Sequence, residues 1–479
     1  MSLRNKTITG VFWAFINVFL TRGASFFATV ILATILSPDD FGLLGMIAIF
    51  MGIGNTLIES GLSNSLIRSE KVDNEDFSTV FYTNVAISIF VYFLVFLGSK
   101  YIAVFYNQPV LTDIIRVYCI GFVVSATSAV QTTILVKNME FKKLTYYQIP
   151  ATIISIFIGF LLAYLGYGVW SMVWMFITNQ VVRSITLWYK SMWTPTLTFN
   201  IEKLKRHFNF GYKLTLSSLL NTVFSNIYNI LIGRYYAIET LGYFERSQTF
   251  KHYIVSTLTD VVAKVTYPMF SKIQNEKDKL VAIFKKTIIF VFFYIAPIML
   301  GLSAVGKPLF LLVLGDKWAP AIPFFQILCV SGVLYPLHFL NINLLQVLGR
   351  SDLFLKIELI KKAALLLIVL IGFQYGVYGL ALSTIVSSII GFFINTFYTG
   401  VLIDYGAVKQ LKDLFSFFIT SIFMSIMMYL LVGLLINYPL FVQLLIPSIF
   451  GFCFYLSINY LFKSNPLFYT IEIIKNHKL

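Results

Sequence analysis

Two neighbouring stretches in the middle of the chain carry polar residues at helical spacing inside apolar sequence. Within Phe210–Tyr235, Asn221, Ser225 and Asn229 recur at i, i+4 and i+8, a spacing that stacks amides and a hydroxyl along one helix face. Further on, Glu245, Thr249, His252, Ser256 and Asp260 step by 4, 3, 4 and 4 residues, with Arg246 and Lys251 beside them. Such groups bind through hydrogen bonds and charge. A Lys, Arg or Asp at the centre of a bilayer costs about 2.5–3.5 kcal/mol on insertion scales, so in an apolar helix these residues are expected to line a wet cavity. The first apolar stretch has the same character: Asn17, Thr21 and Ser25 share a face, with Arg22 beside them and Glu59 one span later as a candidate ion-pair partner.

Other chemistries fail on their own requirements. Gly301-Leu-Ser-Ala-Val-Gly306-Lys307 fits a phosphate-binding P-loop until its eighth position, where Pro308 replaces the Ser or Thr that would hold magnesium. Asp39-Asp40 has no soluble nucleotide-binding region to serve a sugar transferase, and the external connections are too short to hold polymerase chemistry, so an enzyme is not expected. Cys119, Cys329 and Cys453 stand alone, each in an apolar run, so neither metal sites nor disulfides are expected. No cofactor is implied.

The elements that must position these residues follow from composition. Hydrophobic residues make up 58% of the chain and charged residues 12%, with mean hydropathy +0.82; soluble chains carry about 25% charged residues, so this is a membrane protein. Apolar runs near the ~20 residues of a spanning helix occur at 8–32, 41–64, 79–98, 114–136, 148–166, 168–189, 211–233, 240–268, 284–306, 321–347, 354–373, 376–402, 411–435 and 440–462. The expected fold is an all-α integral membrane protein of about 14 transmembrane helices. The N-terminal run is too long for a signal-peptide core and reads as a retained first span. The net charge of +15 does not call for nucleic acid, because it is distributed by side. With the N-terminus placed in the cytoplasm, Lys100, Arg234, Lys307 and Lys317 alone fall in outer loops, while the inner loops hold nearly all other Lys and Arg. That asymmetry predicts both termini inside.

The chain also echoes itself. Asn17, Thr21 and Ser25 correspond at an offset of 200 to Ser217, Asn221 and Ser225, and Phe41-Gly42-Leu43-Leu44 corresponds to Leu241-Gly242-Tyr243-Phe244. Gly166-Tyr167-Gly168-Val169-Trp170 returns as Gln374-Tyr375-Gly376-Val377-Tyr378. An even-numbered unit repeated in tandem keeps its orientation, so two parallel six-helix lobes are expected, at 1–200 and 201–402, with two additional helices and a tail at 403–479.

The runs ILSPDDFGLLGM, ESGLSNSLIRSEKVDNEDFSTVF, FYNQPVLTDIIRV, VKNMEFKKL, GYGVWSMV, NILIGRYYAIETLGYFERSQTF, YPMFSKIQ, GDKWAPAIPFFQIL and LGRSDLFLKIEL resemble the polysaccharide transporter family, within the superfamily of multidrug, oligosaccharidyl-lipid and polysaccharide exporters. The similarity runs in order through about residues 1–400 and is specific as a set. It implies a flippase for lipid-linked oligosaccharides in a bacterial inner membrane, serving O-antigen, capsule, exopolysaccharide or teichuronic-acid assembly. It also implies a central cavity built from the first, second, seventh and eighth helices.

On that resemblance the substrate is an undecaprenyl-pyrophosphate-linked sugar repeat, carried by alternating access. Arg22 and Arg246, with Lys251 as a weaker third, are the candidates for its pyrophosphate, since guanidinium forks grip phosphate oxygens and stay charged. Asn17, Thr21, Ser25, Asn221, Ser225, Asn226, Asn229, His252 and Ser256 are the candidate polar lining. Glu59, Glu245 and Asp260 are candidates to couple H+ or Na+. Membrane lipid, and a polysaccharide polymerase with its chain-length machinery, are the expected partners. The competing readings are a cationic-drug antiporter, which would want acids to dominate the cavity, and a non-transporting scaffold of a glycan-assembly complex.

Overall fold

A computed structural model describes residues 23–476 apart from Ser60, Glu70 and Met192, without the side chains of Glu59, Asp260 and a few others. Among the described residues every regular element is helical. The chain divides into two compact units, Met1–Glu245 and Arg246–Leu479.

The first unit contains α1 (Gly23–Ile35), α2 (Pro38–Glu59), α3 (Leu62–Arg68), α4 (Asn74–Tyr106), α5 (Leu111–Tyr118), α6 (Ile120–Ala126), α7 (Ala129–Lys137), α8 (Phe141–Tyr164), α9 (Val169–Lys190), α10 (Ile201–Ser225), α11 (Ile227–Tyr235) and the first turns of α12 (Ile238–Lys272). Local chemistry sets the helix starts. Ser37 donates to the Asp40 carboxylate through its backbone N–H (2.9 Å) and its hydroxyl (2.8 Å). Asp73 and Asp76 form a reciprocal capping box that starts α4. The Asn200 side chain accepts from the backbone N–H groups of Glu202 and Lys203 at the start of α10. Leu62, Leu66, Val80, Phe81 and Val130 form a buried core where α3, α4 and α7 meet.

The second unit takes the rest of α12 and continues with α13 (Lys277–Ala304), α14 (Gly306–Leu314), a 3-10 turn (Asp316–Ala321), α15 (Ile322–Gly332), α16 (Tyr335–Val347), α17 (Ser351–Phe373), α18 (Gly376–Ile403), α19 (Ala407–Leu434), α20 (Leu440–Leu461) and α21 (Asn465–Asn476). Its interior is aromatic: Phe310 lies 5.3 Å from Phe250 and 4.7 Å from Phe325, centroid to centroid. The last two long helices are stitched into it. Ser425 donates to the Leu300 carbonyl at 2.8 Å, Tyr455 to the Phe293 carbonyl at 2.9 Å, and Lys285 pairs with Asp413 at 2.8 Å.

Eight described stretches are long and apolar enough to cross a membrane, and α5–α6 with α7, bent by 44°, makes a ninth. The protein is a multi-pass helical membrane protein. The remaining runs read from the sequence are also helical, but α1, α9, α10–α11, α12 and α17 are shorter or more polar than that standard. The two Gly-Tyr-Gly-like echoes have a backbone reason. Gly168 immediately before α9 and Gly376 at the start of α18 both take positive φ, +54° and +76°, a turn conformation that favours glycine.

Candidate functional site

Within the first unit, α2 and α3 run against α10, α11 and the start of α12 along a seam of glycines and small polar groups. At one end Gly42 faces the backbone carbonyl of Ile238, and Gly242 faces that of Pro38. The contacts are reciprocal at the same 200-residue offset seen in the sequence. A Cβ on either glycine would collide with backbone, so only glycine permits this crossing. Further along, the hydroxyls of Thr56 and Thr222 lie 3.2 Å apart, and Gly52 sits opposite the Thr222 methyl. At the other end a Cβ on Gly61 would stand 2.9 Å from the Gly211 carbonyl oxygen.

The predicted polar lining is distributed unevenly over this seam. Asn221 and Ser225 are exposed, whereas Asn229 is 4% exposed and donates to a Glu245 carboxylate oxygen at 3.0 Å. The straight i, i+4, i+8 face read from the sequence is therefore interrupted. Asn226 sits at a break between α10 and α11, its side-chain amide donating to the Thr222 carbonyl at 2.8 Å and to the Ser225 hydroxyl at 3.4 Å. An amide that takes a helix carbonyl in this way competes with the continuing ladder. Ser25 is half-buried in α1. Asn17, Thr21 and Arg22 lie outside the described residues, as do the side chains of Glu59 and Asp260.

In the second unit, the α12 residues look in different directions. His252 is exposed, while Arg246 is 4% and Ser256 9% exposed. Lys251 is half-buried, and its aliphatic stem lies by Gly332, near Val255 and Met299. The neighbouring Ser247 donates to the Ala321 carbonyl at 2.9 Å. A second polar cluster, not singled out by spacing, joins α16 and α18: the Asn395 amide donates to His338 Nδ1 (3.1 Å), and His338 Nε2 bonds Ser388 Oγ at 3.2 Å. Lys361 and Glu358 pair at 2.5 Å on α17, and the Lys361 stem passes Gly391 beside His338. Among the described residues no three His, Cys, Asp or Glu side chains gather to hold a metal ion.

The sequence reading missed a third cluster, at the Lys- and Arg-rich end of the first unit. Ser65, Asp76 and His207 are 4%, 3% and 0% exposed. Ser65 Oγ lies 2.8 Å from His207 Nδ1, and His207 Nε2 lies 3.2 Å from Asp76 Oδ1. The same carboxylate oxygen takes a 2.5 Å bond from Arg206. Lys203 bridges Asp73 at 2.5 Å and Glu75 at 2.6 Å, and its ammonium holds the Asp73 carboxyl down at about 2. Burial pushes the His207 pKa down, against the opposing pull of Asp76. Arg68 lies 4.5 Å above the Phe210 ring, and Lys137 donates to the Leu66 carbonyl at 2.8 Å. The signal available in sequence was a His seven residues inside a basic amphipathic helix start, and it carries no spacing that points to partners 131 and 142 residues away.

The chain has relatives both in sequence and in fold. The profile of a family described as polysaccharide biosynthesis proteins matches residues 31–323. The lipopolysaccharide biosynthesis protein WzxC of Escherichia coli (strain K12) is 27% identical over 404 residues, covering 83% of this chain and 81% of its own length. Among solved structures, the lipid II flippase MurJ in an inward closed conformation superposes with a TM-score of 0.78 at 16% identity, over 94% of this chain and 98% of that one. An inward-facing multidrug resistance MATE family transporter of the MOP superfamily superposes with a TM-score of 0.62 at 16% identity, over 81% of this chain and 96% of that one. These likenesses place the chain in the MurJ- and MATE-like transporter fold.

Proposed function

Because the chain belongs to the family of polysaccharide biosynthesis proteins, we propose that it is a flippase moving lipid-linked oligosaccharide repeat units across a bacterial inner membrane for surface polysaccharide assembly. The observation that carries this reading is the seam of glycines, threonines and asparagines along α2, α10 and α11, with Glu245 bound to Asn229 at 3.0 Å. A sugar head group brings many hydroxyls to the ~30 Å hydrocarbon core, so crossing requires hydrogen-bonding walls that can open. Neutral amides and hydroxyls suit sugars, while a drug antiporter would favour a surplus of acids.

On this reading the substrate is undecaprenyl-pyrophosphate-linked, with Arg22, Arg246 and Lys251 serving the pyrophosphate and the polar residues of α10–α12 serving the sugars. The prenyl tail stays in lipid. Fourteen spans in two six-helix lobes, at 1–200 and 201–402, with helices added at 403–479 and both termini cytoplasmic, complete the proposal. It needs no covalent chemistry, and a polymerase takes up the product. Deleting the gene in its host should abolish the surface glycan and trap lipid-linked repeat units on the inner leaflet. Arg246→Ala should reproduce that loss at normal protein levels. A deletion strain with unchanged glycan export would overturn the flippase reading, and an active Arg246→Ala protein would remove that residue from the phosphate site.

A further inference from the structure

The cluster around His207 is not among the residues proposed to bind substrate, yet it holds the two most deeply buried residues of the His, Asp, Glu, Lys and Arg types described in the first unit, His207 at 0% and Asp76 at 3% exposed. Its connectivity, Ser to His to Asp, is that of a hydrolase triad. The burial of Ser65, at 4% exposed, leaves no face for a substrate. A static core has little reason to bury these groups either, because apolar residues of similar volume usually serve as well or better. Polar partners are useful where a contact must be broken and remade, since water can replace each bond in the open state at little net cost.

The cluster also joins the right elements for that. Ser65 and Asp76 sit on α3 and α4, whereas Arg206 and His207 sit on α10, the helix with which the second half of the repeat begins. Beside the cluster the backbones of Gly61 and Gly211 approach each other directly, with the Thr215 side chain alongside, so few side chains have to unthread there. The pairs that Lys203 makes with Asp73 and Glu75 add little by themselves, because solvent screens those exposed carboxylates. The bonds that converge on the buried Asp76 carboxylate, from His207 inside and Arg206 at the rim, are the ones that hold.

We infer that Ser65, Asp76, Arg206 and His207 form a latch that closes the Lys- and Arg-rich end of the transport path and is broken and remade in every cycle. The inference rests on the alternating-access reading above. In the closed form His207 Nε2–H donates to Asp76 and Nδ1 accepts from the Ser65 hydroxyl, so each member is satisfied. On opening, α10 leaves α3 and α4, and the same groups meet water at the mouth of the cavity.

The test uses full-length protein in inside-out membrane vesicles. Thr215→Cys, opposite Gly61, is the reporter, with Cys453→Ser removing the exposed native thiol. The readout is the rate of labelling by a membrane-impermeant maleimide, which needs no substrate. Asp76→Asn and Arg206→Ala should each speed labelling about tenfold, as expected for losing one hydrogen bond to a charged group. Arg206 is 55% exposed in its side chain, so its truncation tests the latch even if the Asp76 variant folds poorly. A Ser65→Cys/His207→Cys pair, once oxidised, should slow labelling below the parent rate, and reductant should restore it. Labelling unchanged in the Arg206 variant and insensitive to oxidation of the cysteine pair would overturn the latch. If labelling responds as expected while the parent protein moves no lipid-linked glycan, the flippase reading fails and the latch stands.

Discussion

At the scale of single residues, His207 ties the structure to pH. Burial lowers its pKa in the closed form, whereas a hydrated imidazole titrates near about 6.5. The closed form therefore holds His207 neutral, and only the open form takes up a proton as pH falls through that value. Stability of the closed form is constant well above pH ~6.5 and declines below it. The groups facing the ring are Asp76 on α4, Ser65 on α3, and Arg206 on its own helix, with Lys137 of α7 close enough to add to the lowering. Maleimide labelling of the Thr215→Cys reporter should rise as the cytoplasmic face is acidified from pH 7.5 to 5.5, and His207→Gln should flatten that profile. Asn229 supports a second expectation. Its replacement by Ala removes a buried amide donor from Glu245, costing about 1–3 kcal/mol, which should lower the thermal midpoint in detergent and reduce flipping together. Residues were also where the sequence was least legible. The polar face of Asn221, Ser225 and Asn229 was visible as spacing, but the turn at Asn226 that divides it depends on a side-chain bond to Thr222. The Ser65–His207–Asp76 cluster joins the consecutive helices α3 and α4 to α10, 142 and 131 residues further on, and has no one-dimensional trace.

At the scale of elements, sequence and structure agree more closely, because a bilayer imposes the same length and apolarity on every span. The runs at 79–98 and 376–402 lie inside the continuous helices α4 and α18, and those at 284–306, 411–435 and 440–462 overrun the ends of α13, α19 and α20 by one or two residues. The run at 114–136 is instead broken into α5, α6 and α7, and hydropathy does not report a bend of 44°. The last two long helices carry a sharper lesson. They lie outside the sequence repeat, which invites the idea of a dispensable addition. Ser425, Tyr455 and Asp413 nevertheless bond to α13 across its length. Truncation after Ile403 would expose the apolar side of α13 and leave Lys285 without Asp413. The truncated protein should fail to accumulate in the membrane, as measured by the fluorescence of a fused reporter after size-exclusion chromatography.

For the whole molecule, the remaining question is what drives transport. Moving an anionic head group outward, away from a negative interior, gains about 2.3 kcal/mol per charge for each 100 mV. The pyrophosphate proposed above as the substrate's linkage would carry enough charge for the field alone to supply several kcal/mol. Proteoliposomes with a potassium diffusion potential, inside negative, and no proton or sodium gradient should therefore flip lipid-linked glycan outward faster than unpolarised ones. Outward flipping that requires a proton or sodium gradient at zero potential would instead point to Glu245 and its neighbours as the motor. The proposed cytoplasmic placement of both termini rests on the basic bias of the loop composition and does not depend on packing.

The paired glycines at 42 and 242 have a consequence for heredity. Each occupies the space that the other's helix start leaves, against the carbonyls of Ile238 and Pro38 respectively. A methyl group at either position forces the two helix starts apart, at about 1–3 kcal/mol for an overpacked contact. Once they have parted, the second methyl meets a gap already made. Gly42→Ala and Gly242→Ala should therefore each destabilise the protein, while the double variant loses clearly less than the sum. Two codons far apart in the gene are then exposed to selection as a single trait, and a lineage that has lost one glycine is freer to lose the other.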